Sequence, residues 1–202
     1  MNSQKEEIDR LEKQFSFIKE IDKEKKITRQ TYISSGERME NDAEHAWHMA
    51  IMTLLLSEYA NENIDILKTI SMLLIHDLVE IDAGDTYAYD EAGKASQRQR
   101  EEQAAERIFG LLPQDQGKKM RALWDEFEKG ETAEAKFAHA MDNIQPVMLN
   151  AETDGKAWAE RNIHLSQILK RNQATAEGSD TLWNYAYHHF IMPNVEKGRI
   201  KE

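Results

Sequence analysis

Helix breakers are almost missing from this chain. Only three prolines and nine glycines interrupt 202 residues, and these two residue types most disfavour a helix interior. Runs of alternating β-branched residues, the mark of half-buried strands, are missing too. The chain is therefore read as all-α. Leu11, Phe15, Ile18 and Ile21 recur at helical spacing and give a first amphipathic helix. The stretch TRQTYISSGERME reads as an irregular connector. Asn41 and Glu44 then form a capping-box pattern that opens a second helix, about Asp42 to Tyr59. A third starts at Asn63 or Asp65 and runs to about Ile81, with Gly84 suited to the left-handed residue that ends a helix.

DTYAYDEAGKAS reads as a polar loop. Further helices are expected over about Ser96 to Leu111, Gln114 to Lys129, Thr132 to Ala151, Asp154 to Arg171 and Asp180 to Met192, before a loose tail NVEKGRIKE. Pro113, Gly130 and Pro193 stop three of them. Trp47, Trp124, Trp158 and Trp183 sit in helical patterns and read as core, and SQRQREEQAAER reads as a solvated face with i,i+4 pairs. No repeat, low-complexity linker or composition break appears. One domain over residues 1–202 is expected, its core at about 29–150 with the C-terminal helices packing on it.

The net charge of −11 argues against a partner that is a nucleic-acid polymer or a membrane surface, since those need basic patches. A small phosphorylated partner stays open, because a local metal or Arg reverses the field. The absence of cysteine excludes thiolate chemistry and Cys-type structural zinc. The N-terminus lacks the apolar core of a signal peptide and no window reaches a membrane span, so a cytoplasmic protein is expected.

Against this background LLIHDLVEIDAGD is unusual. An apolar helix, Leu73 to Ile75, runs into His76, Asp77, Glu80, Asp82 and Asp85. Burying such charge is costly, and a bound cation is the usual compensation. The missing ligands are present elsewhere. His45 lies in the first turn of the apolar helix AEHAWHMAIMTLLL, and Asp142 lies inside KFAHAMDNIQPVML. A buried Asp is rare unless paired. The order His, His-Asp, Asp on three helices supplies two imidazoles and two carboxylates, a sound set for one divalent transition ion. Composition does not choose among Mn, Co, Ni, Fe and Zn. His48 and His139 each lie one turn from a proposed ligand and read as supporting or core residues, and His188-His189 as packing.

The chemistry these residues support is metal-assisted hydrolysis. His76 and Glu80 are i and i+4 and share a helix face. A carboxylate there can hold a water or take its proton without being a ligand. Arg29 can clamp phosphate oxygens, and Asp85 can supply a proton to the leaving group through water.

The H…HD…D order, with RMENDAEHAWHMA and HDLVEIDAGD, resembles the HD-domain metal-dependent phosphohydrolases, closest to the 5′-deoxynucleotidase branch. The resemblance covers roughly Arg29 to Leu149. It implies an HD-domain helical bundle, metal ligands at His45, His76, Asp77 and Asp142, Glu80 as base or water-positioner, and Asp85 as a second essential acid beside phosphate and ribose. It implies a phosphate-binding Arg in the connector, with Arg29 ahead of Arg38. It puts Tyr32 where the family's Trp stands, near the ribose 2′ position. The implied reaction converts a nucleoside 5′-monophosphate, ribo or deoxy, to nucleoside and phosphate. A homodimer is a further implied expectation. Competing readings are an HD hydrolase of a cyclic nucleotide or alarmone, a di-iron oxygenase using His48 and His139, and a non-catalytic nucleotide sensor. The C-terminal third carries no transferable motif.

Overall fold

The computed structural model describes residues 2–84 and 91–202. The chain opens with α1 (Asn2–Ile21), a 3-10 turn over Asp22–Lys26, and two short strands, β1 (Thr28–Tyr32) and β2 (Met39–Asn41). These pair antiparallel, Thr28 opposite Asn41 and Tyr32 opposite Met39. The expected irregular connector is thus a small ribbon. Thr28, Thr31 and Tyr32 favour extended backbone, and Gly36, at φ +70°, lies in the bend between the strands.

Helices follow: α2 (Asp42–Leu56), α3 (Ile66–Ile75), α4 (Glu80–Ala83), α5 (Glu91–Phe109), α6 (Gln114–Lys129) and α7 (Ala133–Glu152). Asp65 caps α3 by accepting from the Lys68 N–H, and Thr132 caps α7 by accepting from the Ala135 N–H. Gly130, in the left-handed region, closes α6 as its position suggested. Two expectations change here. The third helix does not run unbroken to Ile81; it tightens into a 3-10 turn over His76–Val79 before α4. Of the expected polar loop, residues 85–90 lie outside the described residues, and the chain is helical from Glu91.

Beyond α7 the chain breaks into short pieces, α8 (Lys156–Glu160), α9 (Leu165–Arg171), α10 (Thr175–Gly178), α11 (Asp180–Ala186), a π-turn over Tyr187–Ile191 and α12 (Met192–Glu196). The single helix expected over Asp154 to Arg171 is interrupted at Asn162, whose φ of 54° is left-handed. The tail is not loose. Lys201 donates its N–H to the Ile163 carbonyl at 2.9 Å, its carbonyl accepts from Leu165, and Ile200 is buried.

α7 is the central strut. Phe137, Ala138 and Met141 pack with Met49 of α2 and Met72 and Leu73 of α3. A second cluster joins Ile75, Leu78, Ile108, Phe109 and Trp124. A third joins Val147 of α7 to Trp158, Ile163, Ile168, Ile191 and Ile200. Each such side chain contributes about 1.5–3 kcal/mol on burial. Two sequence assignments invert. Trp47 is 63% exposed, because Met49 and His45 take the inward face of α2 and Trp47 lies across from them. On α1, Leu11, Phe15 and Ile18 face outward while Phe17 is buried. Among the described residues no helix is long and apolar enough to cross a membrane.

Candidate metal centre

Local structure sets the position of each candidate ligand. The capping box is complete: Asn41 accepts from the Glu44 N–H at 3.0 Å and Glu44 accepts from the Asn41 N–H at 3.1 Å. It starts α2 so that His45 falls on the inward side of the first turn, fully buried. His76 and Asp77 occupy the 3-10 turn after α3. Asp142 sits mid-α7, one turn ahead of Pro146. Proline has no N–H for the carbonyl four residues back, so the α7 ladder lacks its bond at Asp142.

His45, His76 and Asp142 converge, with one ligand atom from each lying within 4.8 Å of the others. The hydrogen bonds behind them determine the tautomers. His76 Nδ1 faces the Leu73 carbonyl at 2.9 Å. A carbonyl only accepts, so Nδ1 carries a proton, and Nε2 is left to bear a second proton or a metal ion. His45 Nδ1 lies 2.9 Å from Gln145 Oε1, while Gln145 Nε2 donates to Glu40 Oε2 at 2.9 Å. The Glu40 carboxylate needs a donor, which orients the amide and puts the His45 proton on Nδ1 as well. The two Nε2 atoms therefore turn toward carboxylates. His45 Nε2 is 3.0 Å from Asp142 Oδ1; His76 Nε2 is 3.0 Å from Asp77 Oδ2 and 3.8 Å from Asp142 Oδ1. His76 Nε2 is buried and has no hydrogen-bond partner. A ring nitrogen facing carboxylate oxygens needs a cation between them, a proton or a metal ion. Two imidazole nitrogens and carboxylate oxygens are what a divalent transition ion takes.

Proton affinities tell the same story. Burial opposes charge on His76, but Asp77 and Asp142 override it and hold the imidazole well above its usual range. Burial would likewise raise Asp77 and Asp142, yet the histidines and Arg29 or Arg171 keep both acids below the ordinary carboxylate range. Arg29, on β1, is buried amid acid. Its Nη1 donates to Asp77 Oδ2 at 2.7 Å and Asp42 Oδ1 at 3.3 Å, and its Nε lies 3.7 Å from Glu40. Behind it, burial and then Asp77 and Asp42 push the Glu24 carboxyl up to about 7.

The centre forms one wall of a cavity of about 310 Å³. Arg29, His76, Asp77, Glu80 and Asp142 line it. His45 lies behind Asp142, outside the lining. Arg38 stands on the surface, its guanidinium paired with Glu44 at 2.6 and 2.8 Å. Tyr32 points its hydroxyl at Glu160, 3.2 Å away, with the Lys156 ammonium over its ring; its neighbours Gln30 and Thr31 line the cavity. Asp85 lies outside the described residues. His48 Nδ1 approaches Gln145 Nε2 at 3.2 Å, and His139 Nε2 faces the Phe127 carbonyl at 2.8 Å. Both support the centre rather than enter the cluster of ligand atoms.

Several lining residues had no sequence signal. Glu101 and Glu128 come from α5 and α6, and burial raises both acids, Glu128 to about 7. Asn143 and Asn150 come from α7, and Arg161, Arg171 and Asn172 from the region of α8 and α9. None stands in a pattern of its own; only tertiary contact gathers them.

A family model described as HD domain matches residues 21–183. This chain belongs to the HD domain family. Among relatives, the 5′-deoxynucleotidase HDDC2 of Homo sapiens is 28% identical over 137 residues, 67% of this chain and 66% of that one. The Xenopus laevis 5′-deoxynucleotidase HDDC2 is 31% identical over 133 residues, 65% of each chain. The match spans just under two thirds of the length of the human and bovine relatives, 66% and 65%. A crystal structure of a predicted metal-dependent phosphohydrolase from Magnetospirillum magnetotacticum superposes with a TM-score of 0.90 at 46% identity, covering 96% of each chain. A conserved protein from Pyrococcus furiosus, 21% identical with a TM-score of 0.58 over 81% of this chain and 95% of that one, shares the fold.

Proposed function

We propose that this protein is a metal-dependent phosphomonoesterase that converts nucleoside 5′-monophosphates, ribo or deoxy, to nucleoside and phosphate. The observation that carries the reading is the convergence of His45, His76 and the Asp142 carboxylate beside a cavity that His76, Asp142, Glu80 and Arg29 line. The relatives named 5′-deoxynucleotidase support the substrate class.

His45, His76, Asp77 and Asp142 would hold one divalent transition ion, drawn from Mn, Co, Ni, Fe and Zn. When bound, that ion supplies Lewis acidity, acidifying water and polarising a phosphoryl oxygen. The chain's residues do the rest. Glu80, in the first turn of α4, orients the attacking water and accepts its proton. Arg29 Nη1 is engaged by Asp77 and Asp42, so Nη2 is the donor that meets a phosphoryl oxygen. Asp85 delivers a proton to the departing 5′-oxygen. Arg38, held by Glu44, steers the anion from outside, and Tyr32, behind Gln30 and Thr31, shapes the neighbourhood of the ribose.

The test is phosphate release from ribo- and deoxynucleoside 5′-monophosphates by metal-stripped protein restored with single metals. Metal-dependent release that vanishes in Asp77→Ala is expected. No release with any metal, from folded protein that still binds one, would overturn the nucleotidase reading. Glu80→Gln should keep the metal and lose roughly 10²–10⁴ in kcat.

A homodimer is part of the same proposal. α2 and α3 turn Trp47, Ile51, Leu54, Leu55, Leu67 and Leu74 outward, apolar side chains that a second copy would cover. Sedimentation equilibrium should give twice the monomer mass, and Leu55→Glu should reduce it.

A further inference from the structure

The cavity is rich in acid. Asp77, Glu80, Glu101, Glu128 and Asp142 all line it, yet an anion must enter. Three arginines line it as well, and they are held differently. Arg29 is buried, its Nη1 taken by two carboxylates. Arg161 donates Nη2 to Gln30 Oε1 at 2.8 Å. Arg171, the last residue of α9, is 43% exposed, and among the described residues its guanidinium has one polar partner, Asp142 Oδ2 at 3.4 Å. That is long for a charge-assisted contact, which is normally about 2.7–2.9 Å.

The placement is specific. Asp142 Oδ1 faces both histidines, and Oδ2 faces Arg171. The guanidinium therefore stands against the same carboxylate as the metal centre. We propose that Arg171 is a second phosphate-binding residue, releasing Asp142 Oδ2 to hold a phosphoryl group in the cavity. The inference rests on the phosphohydrolase reading above and adds a residue to it.

Three physical arguments converge. A 3.4 Å contact is weakly held, and a half-exposed side chain has room to move. With a divalent cation on the Asp142 carboxylate, the negative charge that attracts Arg171 is shared, so the guanidinium gives up little by leaving. A planar fork of N–H donors matches two phosphoryl oxygens, where an ammonium offers only a point charge. Arg29 from β1 and Arg171 from α9 would then approach the phosphoryl group from different parts of the chain. The C-terminal segment would complete a site whose candidate metal ligands all precede it.

The experiment is calorimetric titration of inorganic phosphate into metal-loaded wild type, Arg171→Ala and Arg171→Lys, with metal content and melting temperature measured on each. Arg171→Ala should bind phosphate about 10- to 100-fold more weakly at unchanged metal content and melting temperature. Arg171→Lys should fall between the two. Phosphate affinity within about twofold of wild type in Arg171→Ala overturns the proposal. So does loss of metal from that variant, which would make Arg171 a support for Asp142. A wild type that binds no phosphate would remove the inference and the phosphohydrolase reading together. Phosphate binding lost in Arg171→Ala, with no nucleotide hydrolysed by wild type, would leave the inference standing and remove only the nucleotide substrate.

Discussion

Gln145 faces His45 with its carbonyl and Glu40 with its amide, and that orientation decides which His45 nitrogen is free for a cation. Replacing it with leucine removes the acceptor behind Nδ1 and lets the ring take the wrong tautomer. Gln145→Leu should lower metal affinity about 10–100-fold, read by competition with a chromophoric chelator; unchanged affinity would mean that packing alone sets the ring. Arg29→Ala should act on stability as well as on kcat/KM. It leaves Asp77, Asp42 and Glu40 buried beside one another without their cation, a loss of about 3–5 kcal/mol for a broken buried pair, measurable by urea denaturation. These residues divide by how far sequence reaches. The convergence of His45, His76 and Asp142 was legible because imidazole and carboxylate are rare on apolar helix faces. Gln145 was not. Glutamine is unremarkable in a helix, and its role exists only through a contact 100 residues away along the chain.

Elements carried most of the legible fold. Caps and stops at Asn41, Asp65, Thr132 and Gly130 fall where their side chains or backbone freedom predict. What escaped were departures from ideal pitch. Nothing in IHDLVE announces that the helix tightens at His76, because a 3-10 turn there is chosen by tertiary packing. His76 and Glu80 therefore do not share one regular helix face: both reach the cavity, but across a change of helix type. The interruptions beyond α7 were missed for a similar reason. Asn162 has to enter the left-handed region for α8 and α9 to fold over the third cluster. α10 packs against α7 so closely that a Cβ on Gly178 would collide with the Lys136 carbonyl and approach Ala140 at 2.9 Å. Lys136 and Ala140 belong to the strut that carries Asp142. Gly178→Ala should cost about 1–3 kcal/mol and loosen metal binding with it. A variant as stable as wild type would show that α10 can slide.

For the molecule as a whole, pH and metal act on the same buried charge. Glu24 rises from an ordinary 4.5 to about 7 on folding, through burial first and then Asp77 and Asp42. Between those values the folded chain keeps a proton that the unfolded chain has lost. Stability therefore falls as pH rises through the window from 4.5 to 7. In chelator, Glu24→Gln should match wild type near pH 4.5 and melt higher at pH 8, by up to roughly 5–10 °C. Equal midpoints at both pH values would remove Glu24 from that role.

The three ligand-bearing segments lie far apart in sequence, with His45 and Asp142 97 positions apart. An ion held between them ties α2, the turn after α3 and α7 into one knot that the unfolded chain cannot form. The melting temperature then becomes a gauge of free metal. Above the dissociation constant it should climb by roughly 3–6 °C for each tenfold rise in concentration, and the metal giving the steepest early climb is the one the site grips hardest. In a cell short of that metal, the protein would lose its resistance to unfolding along with its cation, and its abundance would follow the supply.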